Sequence, residues 1–134
     1  MDLIERLQDS LNTIVDLPAQ VKIGYLQPTE ALALYALPGS STIDKDWAGN
    51  ETRRINYEIA IRTENQALAN TCMWQISNYL DQLDNVISAD QSFLFEKVEQ
   101  TGLPSVSEQD DQGYTVYMLD FCCDVVVNNR KKES

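Results

Sequence analysis

Within residues 53–63 the side chains alternate in character. Ile55, Tyr57, Ile59 and Ile61 fall on one side of an extended chain, and Arg54, Asn56, Glu58, Ala60 and Arg62 fall on the other. A period of two is the geometry of a β-strand with one dry and one wet face. The stretch 114–127 does the same. Tyr117, Leu119, Phe121, Cys123, Val125 and Val127 form its apolar row, while Asp120, Cys122 and Asp124 look outward. Two such strands call for an antiparallel sheet with apolar cover on one face only.

Two segments can supply that cover. Residues 2–16 place Leu3, Leu7, Leu11 and Ile14 at helical spacing, with Ile4 and Val15 beside them. Asp2 and Glu5 resemble a capping box, and Asp16-Leu17-Pro18 ends the helix, because proline pushes its predecessor out of helical angles. Residues 64–83 carry a stripe of Leu68, Cys72, Ile76, Tyr79, Leu80 and Leu83, broadened by Met73 and Trp74, with Thr63 and Gln66 as a second capping box.

Three further strands are expected: 21–25, 31–37 and 93–101, the second lying between a turn at 27–30 and Pro38-Gly39. Residues 38–52 read as a long polar loop, 108–113 as an acidic stretch and 128–134 as a flexible tail. The order helix, three strands, helix, two strands predicts an α+β fold of two layers. Its sheet is largely antiparallel or mixed, twisted, and of about five strands, with both helices on one face. At 134 residues the whole chain, 1–134, makes a single domain.

Charge and composition narrow the function. Ten Lys and Arg against 21 Asp and Glu leave a net charge of −11, the wrong sign for gripping nucleic acid phosphates or an anionic membrane. The longest apolar run, 31–37, is far too short to span a bilayer. The absence of histidine removes the commonest general base and metal ligand.

The remaining chemical motifs fail on detail. Asp44-x-Asp46-x-x-Gly49 begins like a calcium loop, but its fifth and twelfth places hold Ala48 and Ile55 instead of oxygen ligands. Cys122 and Cys123 are flanked by Asp120 and Asp124, the wrong field for a thiolate. Pro38-Gly39-Ser40-Ser41 lacks the lysine of a phosphate loop, and no spacing marks a catalytic carboxylate pair. No enzyme, no cofactor and no metal is expected. Three cysteines, two of them adjacent, make a poor disulfide framework, so all three read as reduced thiols, with Cys72 and Cys123 buried. The acidic start, Met-Asp-Leu-Ile-Glu, is unlike a signal peptide, and the sequon at Asn50 reads as inert.

What is left is surface. Trp47 stands in the polar loop outside any period, where it either folds back on the core or anchors a protein contact. Arg53, Arg54 and Arg62 read as a cluster on the wet strand face, suited to a neighbour's carboxylates or to Glu58. Residues 81–111 hold eight acidic groups and one lysine. Glu108, Asp110 and Asp111 are the candidates there for an acidic channel or surface.

The layout resembles the small tail terminator proteins of long-tailed bacteriophages, a minor capsid protein family of siphophages and of prophages in Gram-positive bacteria. The resemblance is carried by the N-terminal helix, Ile23-Gly24-Tyr25-Leu26, Leu37-Pro38-Gly39-Ser40, the strand 54–62 leading into helix 67–83, and the closing stretch 113–121. It implies a structural protein that forms a ring with itself, usually a hexamer, on the head-proximal end of the tail tube. Such a ring stops tube polymerisation and offers a surface for head joining. The implied partners are the major tail tube protein and a head-completion or connector protein. DNA would pass through without specific binding, and no membrane is involved. The implied location is the host bacterial cytoplasm during assembly, then the virion tail and neck. The alternatives are another head–tail connector or neck protein, or a monomeric acidic inhibitor or nucleic-acid mimic.

Overall fold

The computed structural model describes residues 1–27 and 30–128. Its elements are α1 (Leu3–Leu11), β1 (Val21–Ile23), β2 (Ala31–Ala36), β3 (Ser41–Lys45), β4 (Asn50–Thr63), α2 (Gln66–Asp81), β5 (Leu94–Gln100), β6 (Ser105–Gln109) and β7 (Thr115–Asn128). They form an α+β fold with a seven-stranded mixed sheet.

Strands β4 and β7 are its spine. They pair antiparallel along their full lengths, from Asn50 opposite Asn128 to Thr63 opposite Thr115. Each has one remaining edge, and two short strands share it end to end. β2 and β3 divide the edge of β4, and β5 and β6 divide the edge of β7. β1 then adds to β2 in parallel. Seven strands thus occupy five columns, and the surplus over the five expected is β3 and β6.

Both extra strands fall where the sequence suggests no strand, β3 within the 38–52 loop and β6 (Ser105–Gln109) running into the acidic stretch at 108–113. All five residues of each are exposed. An exposed strand buries no apolar row, so it shows no period. It forms because a long neighbour offers unpaired N–H and C=O groups along its edge.

The dry face is as predicted. Tyr57, Ile59 and Ile61 of β4, Leu119, Phe121, Cys123 and Val125 of β7, and Leu32 and Leu34 of β2 are all buried. They share one core with Leu3, Leu7 and Leu11 of α1 and with Ala69, Cys72, Met73, Ile76 and Leu80 of α2. Both helices therefore cover the same face of the sheet.

The helix ends differ from expectation for identifiable reasons. α1 ends at Leu11, and its C-cap Asn12 ties that end to β1 through its side chain. The Asn12 Oδ1 accepts from Val21 N at 2.7 Å and its Nδ2 donates to Val21 O at 3.2 Å. Asp2 caps nothing with its side chain. It accepts instead from Ser88 Oγ and Ala89 N, holding the chain start to the 88–92 turn. The cap of α2 is Asn65, which accepts from Leu68 N at 3.0 Å. Thr63, expected there, is buried and donates to Glu30. β1 ends before Tyr25, since Gly24 takes a φ of 127° and Tyr25 is left exposed. The turn expected at 27–30 lies partly outside the described residues, and so do 129–134 of the expected tail. Asn128 itself closes β7.

Candidate functional site

The outer face of the sheet, away from the helices, is polar but only partly wet. Its rows are Arg54, Asn56, Glu58, Ala60 and Arg62 of β4, set against Asp124, Cys122, Asp120, Met118 and Val116 of β7. Cys122 and Asp124 were expected to look out to solvent, yet each is only 3% exposed, and Glu58 is 7% exposed. Long side chains lie over short ones and exclude water from them.

Arg54 lies across Asp124 in a two-pronged contact, Nε to Oδ1 at 2.9 Å and Nη2 to Oδ2 at 3.1 Å. Lys97 Nζ of β5 stands 3.9 Å from the same carboxylate. Arg62 pairs with Asp110, and its guanidinium sits 4.3 Å above the centre of the Tyr114 ring. Arg53 belongs to the opposite face, because its parity is that of Ile55, and it bonds Glu51. All three arginines therefore have carboxylates in their own chain. The structure places Arg54, Glu58 and Arg62 along one row and sets Arg53 and Trp47 apart from it.

Glu58 faces Asp120 across the β4–β7 ladder and accepts from the Tyr35 hydroxyl of β2. Burial, then a hydrogen bond shared with Asp120, pushes its carboxyl up to about 7, against the Tyr35 bond, which lowers it. Asp120 Oδ1 is buried with no donor of its own. Tyr35, Asp120 and Asp124 escape detection from the sequence because their roles depend on the register between strands far apart in the chain.

Of the acidic candidates, Glu108 and Asp111 are exposed. Asp110 is engaged, its Oδ1 accepting from Gln112 N and Tyr114 N in the turn before β7. Cys72, Cys122 and Cys123 are free and buried. Burial pushes Cys72 up to about 11 and Cys123 up to about 12, which leaves little thiolate at neutral pH. Asp46, read in the sequence against a calcium loop, spends its oxygens on Ala48 and Asn50 of its own turn. Among the described residues no three His, Cys, Asp or Glu side chains gather as a metal would require, and no helix is long and apolar enough to cross a membrane.

Trp47 lies at the tip of the β3–β4 hairpin and is fully exposed, so it does not fold back on the core. Alongside that hairpin is a groove of about 880 Å³. It is lined by Asn50 and Arg53 of β4, by the 85–95 segment and by Val126 and Val127 of β7.

One stability prediction follows from the outer face. Arg54→Ala strips Asp124 of its two-pronged partner and leaves a buried carboxylate with only the distant Lys97. Its urea midpoint is expected to fall clearly, while that of Arg53→Ala stays close to the parent. Equal midpoints for the two variants would contradict the assignment.

A family model described as bacteriophage tail terminator protein matches residues 8–127. No curated protein matches the sequence.

Proposed function

The chain belongs to the bacteriophage tail terminator family, and on that premise we propose that it works as a ring of identical copies. The ring caps the head-proximal end of the tail tube, stops its growth and presents the surface to which the head joins. The observation that carries this reading is the extent of the family match, which runs from within α1 almost to the end of β7 and so takes in every strand and α2. A structural role in the virion tail also suits a chain whose thiols are buried and whose distinctive surface features are edges and an exposed indole. The exposed strands β3 and β6 offer edges to neighbouring subunits or to the tube. A hexamer is the ring size we adopt. The tube protein and a connector protein are its two partners, and the host cytoplasm is where it assembles.

Net charge has a task in such a ring. Double-stranded DNA must slide through it, and carboxylates on the lumen repel phosphates. Glu108 and Asp111, exposed at the β6–β7 end, are the candidates, whereas Asp110 is neutralised by Arg62.

Electron microscopy of tails assembled with and without the protein tests the capping role. Overlong tubes are expected in its absence, with normal length restored when the purified chain is added back. Tubes of unchanged length in both samples would refute capping.

A further inference from the structure

The sheet carries a repeat that the sequence conceals. Adding 64 to both residue numbers turns the pairings of the first half into those of the second. Ala33↔Ala60, Leu34↔Ile59, Tyr35↔Glu58 and Ala36↔Tyr57 become Lys97↔Asp124, Val98↔Cys123, Glu99↔Cys122 and Gln100↔Phe121. Ser41↔Arg54, Thr42↔Arg53, Asp44↔Thr52 and Lys45↔Glu51 become Ser105↔Met118, Val106↔Tyr117, Glu108↔Val116 and Gln109↔Thr115.

The irregularities recur as well. Between β2 and β3, and again between β5 and β6, four residues oppose two on the spine. Leu37 N donates to Asn56 O across the first break, as Thr101 N does to Asp120 O across the second. The register shift between Thr42 and Asp44 returns between Val106 and Glu108. So does the turn that follows. Asp46 Oδ1 accepts from Ala48 N and Asn50 N, and Asp110 Oδ1 accepts from Gln112 N and Tyr114 N, all at 2.9 Å. Gly49 and Gly113 take φ of 87° and 90°. A bulge is a specific device at one position, and a slip of one residue turns every side chain to the other face. Two unrelated hairpins would not share break, bulge and turn at a single offset.

The halves also face each other symmetrically. Adding 64 to Tyr57 gives Phe121, its own partner in the β4–β7 ladder, so the halves exchange about a two-fold axis through that stacked pair. The axis is normal to the sheet. It therefore keeps α1 and α2 on one face and sets the two turns at opposite ends of the spine, with Trp47 exposed on one and Asp111 on the other. The helices match less closely than the strands, since α2 is the longer, and β1 has no counterpart. Of residues 31–63, only Ser41, Asp46 and Gly49 reappear 64 places on, as Ser105, Asp110 and Gly113. Two of these are the residues that the turn itself demands.

We infer that the chain is a fused pair: two copies of one unit, each a broken strand, a hairpin and a long strand behind a helix, associate through β4 and β7 as the subunits of a two-fold dimer do. The β4–β7 ladder is then an interface between copies, carried inside one chain, and the partner that each long strand fits is its twin. The inference does not depend on the ring or the tube.

Exchange between the halves tests it. In one variant, residues 41–50 are replaced by the sequence of 105–114. In a second they are replaced by that of 104–113, one residue out of step. The first graft is expected to keep the urea midpoint within about 0.3 M of the parent, because all of β3 is exposed and break, bulge and turn are matched. The second takes Asp from position 46 and Gly from 49, and its midpoint is expected to fall by at least about 0.5 M. A circular permutant that starts at Asn65 and ends at Glu64 gives an independent measure. Met1 and Val127 line one groove, so Ser134 is joined to Met1 directly. In a fused pair either unit can come first, so the permutant is expected to unfold cooperatively and to keep the parent's near-ultraviolet aromatic spectrum. Equal midpoints for the two grafts, an in-register graft that loses the fold, or a permutant without that spectrum would each overturn the inference. All three proteins are measured as free chains, so these outcomes are separate from those of the tail-length experiment.

Discussion

Replacing Phe121 by alanine is expected to remove about 4 kcal/mol of stability, the largest single effect in the molecule. Phe121 is 1% exposed and lies at the middle of the spine. Its ring stacks on that of Tyr57, directly opposite on β4, with centroids 5.6 Å apart and planes 30° apart. Truncation therefore loses the transfer energy of the ring, opens a void in the core and strands Tyr57 without its aromatic partner. A domain of this size has about 5–15 kcal/mol to lose, so the variant is expected to unfold roughly 10–15 °C earlier. Phe121→Leu refills part of the void and is expected to cost about a third as much. Thermal unfolding of the three proteins checks the order. An alanine variant within 1–2 °C of the parent would mean that the site collapses freely and that the spine is not packed as described.

Phe121 and Tyr57 also show what the sequence can carry by itself. Both stand in rows with a period of two, and the rows of β4 and β7 pair in the structure along their whole length. The stripe of α2 was legible at Cys72, Met73, Ile76 and Leu80, whereas Trp74, expected to broaden it, is exposed, and Ala69 and Ser77 complete the buried face instead. Legibility fails where an element is held by its neighbours and buries nothing of its own. β3 and β6 show no apolar period because every residue in them is exposed. The end of α1 is tethered to β1 by Asn12 reaching to Val21, a contact the helical pattern cannot foresee. Thr63 was a plausible cap on spacing alone, but Glu30 takes its hydroxyl and Asn65 takes over the cap.

The candidate surface divides on the same principle. Trp47 was identifiable because an aromatic outside any period must either turn inward or serve a partner, and its exposure decides against the first. The three arginines read as one cluster on the wet strand face, and strand parity separates them. Arg53 falls with Ile55, while Arg54 and Arg62 fall with Glu58. Their carboxylate partners Asp124 and Asp110 lie well over forty residues away in sequence and become neighbours only through the β4–β7 register and the turn before β7. The groove is the least legible feature, since it joins the 85–95 segment, β5 and the ends of β4 and β7.

Raising the pH from about 5 to about 8 is expected to weaken the fold through Glu58 by at most about 2.5 kcal/mol. In the unfolded chain its carboxyl titrates near 4.5, whereas in the native sheet it is pushed up to about 7, first by burial and then by a hydrogen bond with Asp120. Between those values the native state holds more protons than the unfolded state, so stability falls as pH rises. The contribution is complete below about 4.5 and is lost through about 7. The acid limb has the opposite slope. Ser92 and Ser88 hold Asp90 below the usual carboxylate range, and Asn50 does the same for Asp46, so both favour the folded state until acid protonates them. Maximal stability should therefore lie near about pH 5, between the two limbs. Glu58→Gln keeps a donor for Asp120 and removes the titration, so its denaturation midpoint should be flat across the upper limb while its acid limb is unchanged. Tyr35→Phe removes the hydroxyl that stabilises the Glu58 carboxylate, so the same limb should move to higher pH. Urea titrations at closely spaced pH values measure both. If parent and Glu58→Gln run parallel across the upper limb, Glu58 is not the group that titrates there.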